Sequence, residues 1–148
     1  MGEILKTQDK LKAWELRSNL SLECSFCKNG MDSHSHLFFE CLFTARVWDR
    51  IQGNVRFSFA SNRWCGVLNN IINASNHKSA SMVVAKLCFG ASVYFIWQER
   101  NSRIFRKTHR SVDQLYDIIY LHVRLKLMTI KFKSSPNVDR LKLDWQLG

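Results

Sequence analysis

Residues 24–41 read CSFCKNGMDSHSHLFFEC and place three cysteines and two histidines within eighteen positions. Cys24 and Cys27 are separated by two residues, a spacing that lets two thiolates bind one ion while backbone amides point at the sulfurs. His36 and Cys41 have four residues between them, which is enough chain to reach the other side of a tetrahedron. The stretch therefore predicts a metal site formed by two pairs of ligands, Cys24 with Cys27 and His36 with Cys41.

The predicted ligands, three sulfurs and one nitrogen, form a closed tetrahedral shell that suits one zinc ion. A closed shell leaves no position for water or substrate, so the zinc would be structural. His34 is the alternative to His36 as the nitrogen ligand. We favour His36 because the apolar residues 37–39 follow it directly and would fix it against the core. The other alternative is three reduced cysteines beside a surface histidine pair, without a metal.

The length and the cysteine count limit the class of protein. A chain of 148 residues can form one domain, or one domain and a small metal-stapled module. The first ten residues, MGEILKTQDK, lack a secretory signal, and five cysteines are an odd number, so we expect an intracellular, reducing location in the nucleus or cytoplasm. The longest apolar passage, 82–97, is about 16 residues, short of a membrane span, so no membrane partner is expected.

The net charge of +10 is concentrated in the second part of the chain. Residues 1–55 carry seven basic and seven acidic side chains, whereas residues 56–148 carry fifteen basic and five acidic ones. Such a field favours polyanionic partners, and we expect non-specific contact with the phosphate backbone of RNA or DNA. The alternative is a basic surface that serves only solubility.

The spacing of apolar residues predicts a mainly α-helical fold, in which a small zinc-stapled N-terminal module is followed by a bundle of helices. We expect three segments: a zinc-binding module at 1–55, a connector with one short helix at 56–80, and a basic helical region with two long helices at 81–148. Helices are predicted at about 8–16, 41–52, 64–72, 81–107 and 111–132, with an extended stretch at 55–59 and a linker at 74–81.

The first long helix places five basic residues on one arc, if it extends that far. These candidate nucleic-acid-binding residues are Arg100, Arg103, Arg106, Lys107 and Arg110. Further phosphate contacts are expected at Lys126, Lys131 and Lys133. The alternative for the arc is a solvated helix face without a ligand.

The second long helix is predicted to begin with a capping box formed by Ser111 and Gln114. It carries two apolar stripes, which indicates that it is covered on two sides, by the same chain or by another molecule. The first stripe comprises Val112, Tyr116, Ile119, Val123, Leu127 and Ile130. The second comprises Ile118, Leu121, Leu125 and Met128. The second stripe is either ordinary core or a surface for a protein partner or for self-association.

Residues LKAWEL (11–16) and CSFCKNGMDSHSHLFFECLFTARVWDRI (24–51) together resemble the zinc-binding domain at the C-terminal end of plant LINE-type (non-LTR) retrotransposon reverse transcriptases. The matching positions are Trp14, Cys24, Cys27, His36, Leu37, Phe38, Phe39, Cys41, Val47 and Trp48. That family usually has Glu-Thr before the histidine and Pro after the last cysteine, where this chain has Asp32-Ser33 and Leu42.

A second stretch, IWQERNSRIF at 96–105, resembles the downstream segment of the same polyproteins. The resemblance implies a zinc-stapled helical module attached to, or derived from, a reverse transcriptase, in contact with RNA or DNA.

Sequence features of a catalyst are missing. A polymerase needs paired aspartates to hold two metal ions, and the chain has no Asp-Asp dipeptide and no acidic set typical of ribonuclease H. The H-x-E and P-C-x-x-C spacings of zinc deaminases are also absent. We therefore expect a non-catalytic module without the polymerase domain. The alternative is a structural or protein-interaction domain, or a relic transposon fragment with no activity of its own.

Overall fold

The computed structural model describes residues 23–54, 69 and 80–147. In these ranges the chain forms the α-helices α1 (Leu42–Gln52), α2 (Ala80–Asn101), α3 (Val112–Met128) and α4 (Pro136–Asp144). Wide π-helical turns precede α1 at His36–Glu40 and follow α2 at Ser102–Arg106. Pairing of β type is limited, over the same ranges, to one antiparallel bridge between Glu23 and Met31. The mainly helical fold with a Cys/His cluster ahead of the helices is confirmed.

Several predicted elements lie outside the described residues. These are the helix at 8–16, the extended stretch at 55–59, the helix at 64–72 apart from Asn69, and most of the linker at 74–81. The three remaining predicted helices correspond to α1, to α2 with its π-helical turn, and to α3, each within a few residues of the expected bounds.

Helix α2 is the core of the bundle. It packs against α1, α3 and α4 and buries residues on nearly every side of its first half, from Met82 to Ile96. The predicted burial of this half is confirmed. The helix ends in the π-helical turn, and Lys107 stops it by adopting the left-handed conformation at φ 55°.

The continuous run Ala80–Arg106 has 27 residues and is long and apolar enough to cross a membrane, judged by length and composition alone. Half of its most apolar window is buried inside the fold. The apolar passage expected at 82–97 is shorter than this run because the helix continues through Glu99 and Arg100. The absence of a membrane partner stays a prediction.

Helix α3 begins with the predicted capping box. The Ser111 hydroxyl accepts from the Gln114 amide at 3.1 Å, and the Gln114 side chain accepts from the Ser111 amide at 2.9 Å. A row of four residues faces the core: Leu115, Ile119, Val123 and Leu127. The second predicted stripe is not core, because Leu121, Leu125 and Met128 are more than half exposed.

Helix α4 was not predicted from apolar spacing. Ser135 caps it by accepting from the Val138 amide, and Pro136 occupies the first turn, where a missing N–H costs nothing. The helix ends at Asp144, and the C-cap residue Trp145 is buried and stacks on Tyr120 with ring centroids 4.8 Å apart. The C-terminal residues are therefore docked on α3 and belong to the fold.

The residues around the cysteines share one apolar core with the long helices. Leu37, Phe38 and Trp48 belong to the same buried cluster as residues of α2, α3 and α4. The division at residues 55 and 80 stays a prediction. In the described parts of the chain, however, the first and third segments are packed together.

Candidate metal centre

The four predicted ligands lie together in the structure. The sulfurs of Cys24, Cys27 and Cys41 and a ring nitrogen of His36 are all within 4.8 Å of one another. The Sγ atoms of Cys24 and Cys41 are 3.7 Å apart, and Sγ of Cys27 is 3.2 Å from Nε2 of His36. Tetrahedral zinc with Zn–S bonds of about 2.3 Å separates two sulfurs by about 3.8 Å. The donor set and its spacing therefore fit one zinc ion.

The first pair of ligands lies on a tight turn closed by the bond from the Cys24 amide to the Gly30 carbonyl, at 2.7 Å. Within this turn the Phe26 amide donates to Sγ of Cys24 and the Asn29 amide donates to Sγ of Cys27, both at 3.4 Å. Amide donors stabilise sulfur as thiolate, the form that binds metal. The C-x2-C spacing thus provides ligands and the donors that support them.

The second pair of ligands is positioned by the π-helical turn. The Cys41 amide donates to the His36 carbonyl at 2.6 Å, which is the i to i+5 bond of a π turn and brings these two residues to one side of the backbone. The His36 amide is held in turn by the Ser33 hydroxyl at 3.2 Å. Cys41 is the N-cap of α1, where the helix dipole favours a thiolate.

His36 supplies the nitrogen, as favoured from the sequence. The imidazole of His34 instead stacks on the ring of Phe38, with centroids 6.2 Å apart and an interplanar angle of 5°. Burial of the ligands is uneven, because Cys24 and Cys41 are buried whereas Cys27 and His36 are partly exposed.

The two buried sulfurs are joined by a hydrogen bond in which Sγ of Cys24 donates to Sγ of Cys41 at 3.7 Å. The hydrogen bond from Cys24 to Cys41 raises the pKa of Cys24, with a further contribution from burial. The same bond lowers the pKa of Cys41, against the opposing effect of burial. Cysteine binds zinc as the thiolate, so zinc binding would displace the proton between these two sulfurs.

Gly30 makes room for the histidine ligand. A Cβ atom at this position would lie 2.6 Å from Nε2 and 2.7 Å from Nδ1 of His36, closer than real carbon contacts allow. The backbone of Gly30 is not in the left-handed region, so its role is close approach and not turn geometry. Glycine here therefore sets the position of the imidazole.

The Gly30→Ala variant is expected to bind zinc more weakly than the wild type, because the methyl group displaces the His36 ring. Competition with a colorimetric chelator would measure the change, and we expect a loss of at least tenfold. Gly90→Ala is the matched control, since nothing lies within 4 Å of a Cβ built there. Equal zinc affinity in both variants would contradict this role for Gly30.

A buried ion pair joins residues 28–35, the loop between the two pairs of metal ligands (the metal loop), to α2. Arg100 donates from Nε to Oδ1 of Asp32 at 3.1 Å and from Nη2 to Oδ2 at 2.6 Å, and the two side chains are 2% and 0% exposed. The guanidinium also donates to Asn101 Oδ1 at 2.8 Å and lies 4.7 Å from the centroid of Trp97. This bidentate pair fixes the loop between the two halves of the metal site.

A second arginine, Arg103 in the π-helical turn that follows α2, lies beside the metal site. The guanidinium of Arg103 lies 4.7 Å and 4.4 Å from the ring centroids of Phe26 and Phe43, which flank the cysteines. Burial lowers the pKa of Arg103, while Glu99 and the sulfurs of Cys24 and Cys41 favour its charged form. One zinc ion and three thiolates carry a net charge of −1, which this cation is placed to balance.

The candidate nucleic-acid residues do not form one exposed arc. Arg100 and Arg103 are directed into the fold, and the helix ends at Arg106, before Arg110. Arg106 and Lys107 are exposed, whereas Arg110 is partly buried, and its backbone amide donates to Glu99 at 2.7 Å. Arg100 and Arg103 are thus taken up by internal contacts, and the nucleic-acid-binding role of the five residues stays a prediction.

Sequence reasoning missed the partners of the metal site, namely Asp32, Phe26 and Phe43. Asp32 and Arg100 are 68 residues apart, and neither local spacing nor helical periodicity pairs them. The sequence feature that hints at these contacts is the cluster of charged residues in IWQERNSRIF, which lies at the end of an otherwise apolar helix.

Comparison with known proteins concerns the first part of the chain. A family model described as zinc-binding in reverse transcriptase matches residues 1–48. This match contains all four ligands. Residues 1–48 are thus similar to the zinc-binding segment of reverse transcriptases. No curated protein and no solved structure matches the sequence or the fold. The cofactor of this chain is one zinc ion held by the Cys3His group.

Proposed function

We propose that this chain is the non-catalytic zinc-binding module of a plant LINE-type (non-LTR) retrotransposon reverse transcriptase, and that it contacts RNA or DNA phosphates. The observation that carries the proposal is the four-ligand Cys3His group, which lies inside a segment that matches zinc-binding in reverse transcriptase. Four protein ligands fill a tetrahedral shell, so the ion shapes the backbone and takes no part in a reaction. Thiolate ligands also favour a reducing, intracellular location.

Phosphate contacts are proposed for exposed basic residues near both ends of α3, a helix about 25 Å long. Arg106 and Lys107 precede the helix, and Lys126, Lys131 and Lys133 lie around its C-terminal end. These side chains belong to the part of the chain that holds the whole net charge of +10. Contacts of this kind position a nucleic acid without reading its sequence.

Reversal of these charges is expected to weaken nucleic-acid binding. We would compare two double variants, Arg106→Glu with Lys107→Glu and Lys131→Glu with Lys133→Glu, by fluorescence anisotropy with short RNA and DNA. Each pair should raise Kd at least tenfold in low salt. Each should also reduce the slope of log K against log salt by about 1.4 to 1.8, because each lost phosphate contact removes about 0.7 to 0.9.

The matched control is Arg46→Glu with Lys86→Glu, which changes the net charge equally at exposed positions on α1 and α2. All variants should retain the wild-type zinc content. Absence of binding by the wild type in low salt, or equal weakening by the control pair, would exclude these residues as the phosphate contacts.

A further inference from the structure

A groove open to solvent runs between α2 and α3. Its volume of about 470 Å³ is within the range of ligand-binding clefts. Six residues line it: Gly90, Ala91, Tyr94, Phe95 and Gln98 of α2, and His122 of α3. Half of these side chains are flat rings and none is acidic, so the groove offers stacking surfaces without negative charge.

The rings in the groove are held in place by one another. Tyr94 is 59% exposed, and its ring packs edge-on against Phe95 with centroids 5.0 Å apart. Phe95 in turn packs edge-on against the ring of His122 at 5.3 Å, and His122 is exposed. Exposed rings that are positioned by their neighbours can stack on a planar ligand with little loss of side-chain freedom.

The wall of the groove on α2 is kept low by Gly90. No heavy atom of the described residues lies within 4 Å of a Cβ built at this position, so the space beside the backbone is open. Glycine weakens the interior of a helix, and Gly90 lies in the middle of α2. Tyr94 follows one turn later on the same side. A planar ligand on the Tyr94 ring therefore has room to approach the α2 backbone.

Cations flank the groove at both ends. Arg110 donates from Nη1 to Oε1 of Gln98 at 3.4 Å, which places a guanidinium at the end near the start of α3. Lys126 is exposed and lies one turn beyond His122 on α3. No acidic residue lies one turn from Tyr94 or His122 on their own helices, at positions 90, 91, 97, 98, 118, 119, 125 and 126. The groove therefore suits an anionic ligand that carries flat rings.

We propose that this groove binds the bases of a single-stranded segment of RNA or DNA. Tyr94 and His122 provide the stacking surfaces, while Arg110 and Lys126 contact the flanking phosphates. Aromatic rings beside cations are the combination with which proteins hold single strands without reading their sequence. The inference rests on the proposed function and adds to it that bases are bound as well as phosphates. A duplex, whose bases are stacked on each other, would reach the cations but not the rings.

Fluorescence anisotropy on the zinc-loaded protein tests the proposal with three probes: a short oligothymidylate, the same strand with abasic sites at its centre, and a hairpin duplex. The wild type should bind the intact strand at least tenfold more tightly than the abasic strand. Tyr94→Leu with His122→Leu keeps the side chains apolar but removes the rings, and should raise Kd for the intact strand at least tenfold. The loss should be much smaller for Tyr94→Phe, which keeps the ring.

Salt dependence separates stacking from phosphate contacts. The double leucine variant should keep the wild-type slope of log K against log salt and the wild-type affinity for the duplex, because stacking releases no counterions. Phe105→Leu is the matched control, since it removes a ring that is 68% exposed and does not line the groove. It should leave all three affinities unchanged.

Gly90→Leu tests the groove without removal of a ring. The leucine side chain would fill the open space, so Kd for the intact strand should rise at least tenfold, whereas zinc content and thermal stability should be retained because leucine favours a helix. Equal binding of the intact and abasic strands, or no effect of either leucine variant, would overturn the proposal and leave phosphate contact intact. A wild type that binds none of the probes in low salt would exclude both the proposed function and this site.

Discussion

Replacement of Cys41 by serine is expected to abolish zinc binding and to loosen residues 23–54. Cys41 is both a ligand and the N-cap of α1, so its loss opens the coordination shell and removes the thiolate that the helix dipole favours. Zinc contributes on the order of 10 kcal/mol to folding in small zinc peptides, more than the whole stability of many domains. Metal content by mass spectrometry and thermal unfolding followed by circular dichroism would measure both effects.

The same effect is expected for Cys24→Ser, whereas His34→Ala should retain one zinc ion per chain. His34 stacks on Phe38 and is not part of the ligand group. Its removal therefore tests whether a histidine that is close to the site, but is not a ligand, contributes to zinc binding. The common core further predicts that metal loss lowers the unfolding temperature of α2 and α3. Retention of stoichiometric zinc by Cys41→Ser, or zinc loss in His34→Ala, would contradict the ligand assignment.

The Asp32→Ala variant is expected to lose about 3 to 5 kcal/mol of unfolding free energy, because it leaves the buried Arg100 guanidinium without its counter-ion. Arg100 is 2% exposed and cannot recover its hydration without opening the contact between the metal loop and α2. In a protein of this size the unfolding temperature should fall by about 10 °C or more. Differential scanning calorimetry on the zinc-loaded protein would measure it.

Another aspartate–arginine pair is the matched control. Arg50 of α1 contacts Asp113 of α3, but the two side chains are 43% and 82% exposed. Asp113→Ala should therefore cost less than about 1 kcal/mol. The double variant Asp32→Leu with Arg100→Met should recover much of the lost stability, since apolar residues often replace a buried pair without cost. Similar effects of Asp32→Ala and Asp113→Ala would show that the buried pair does not anchor the loop.

The metal ligands could be predicted from the sequence because their geometry is local. Two residues between Cys24 and Cys27 form one turn, and four residues between His36 and Cys41 form one π-helical turn. Each pair depends on backbone geometry within a few residues. The capping box of α3 is local in the same sense, since it joins residues three apart.

Contacts between distant segments could not be predicted from spacing. Helical periodicity placed Arg100 and Arg103 on a charged arc, and it carries no information about what lies opposite. The structure sets Asp32 against the first and the Phe26 and Phe43 rings against the second. The same limit applied to the second stripe of α3, since periodicity shows that a face is apolar but not whether the chain covers it.

The uneven burial of the four ligands determines where reagents reach the metal. The sulfurs of Cys24 and Cys41 lie at 0% exposure beneath Phe26, Phe43 and Arg103, while Cys27 and His36 form an edge open to water. A chelator, an oxidant or a competing ion therefore approaches along this edge and displaces His36 or Cys27 first. The buried pair would release the ion last, so exchange of the metal proceeds from one side.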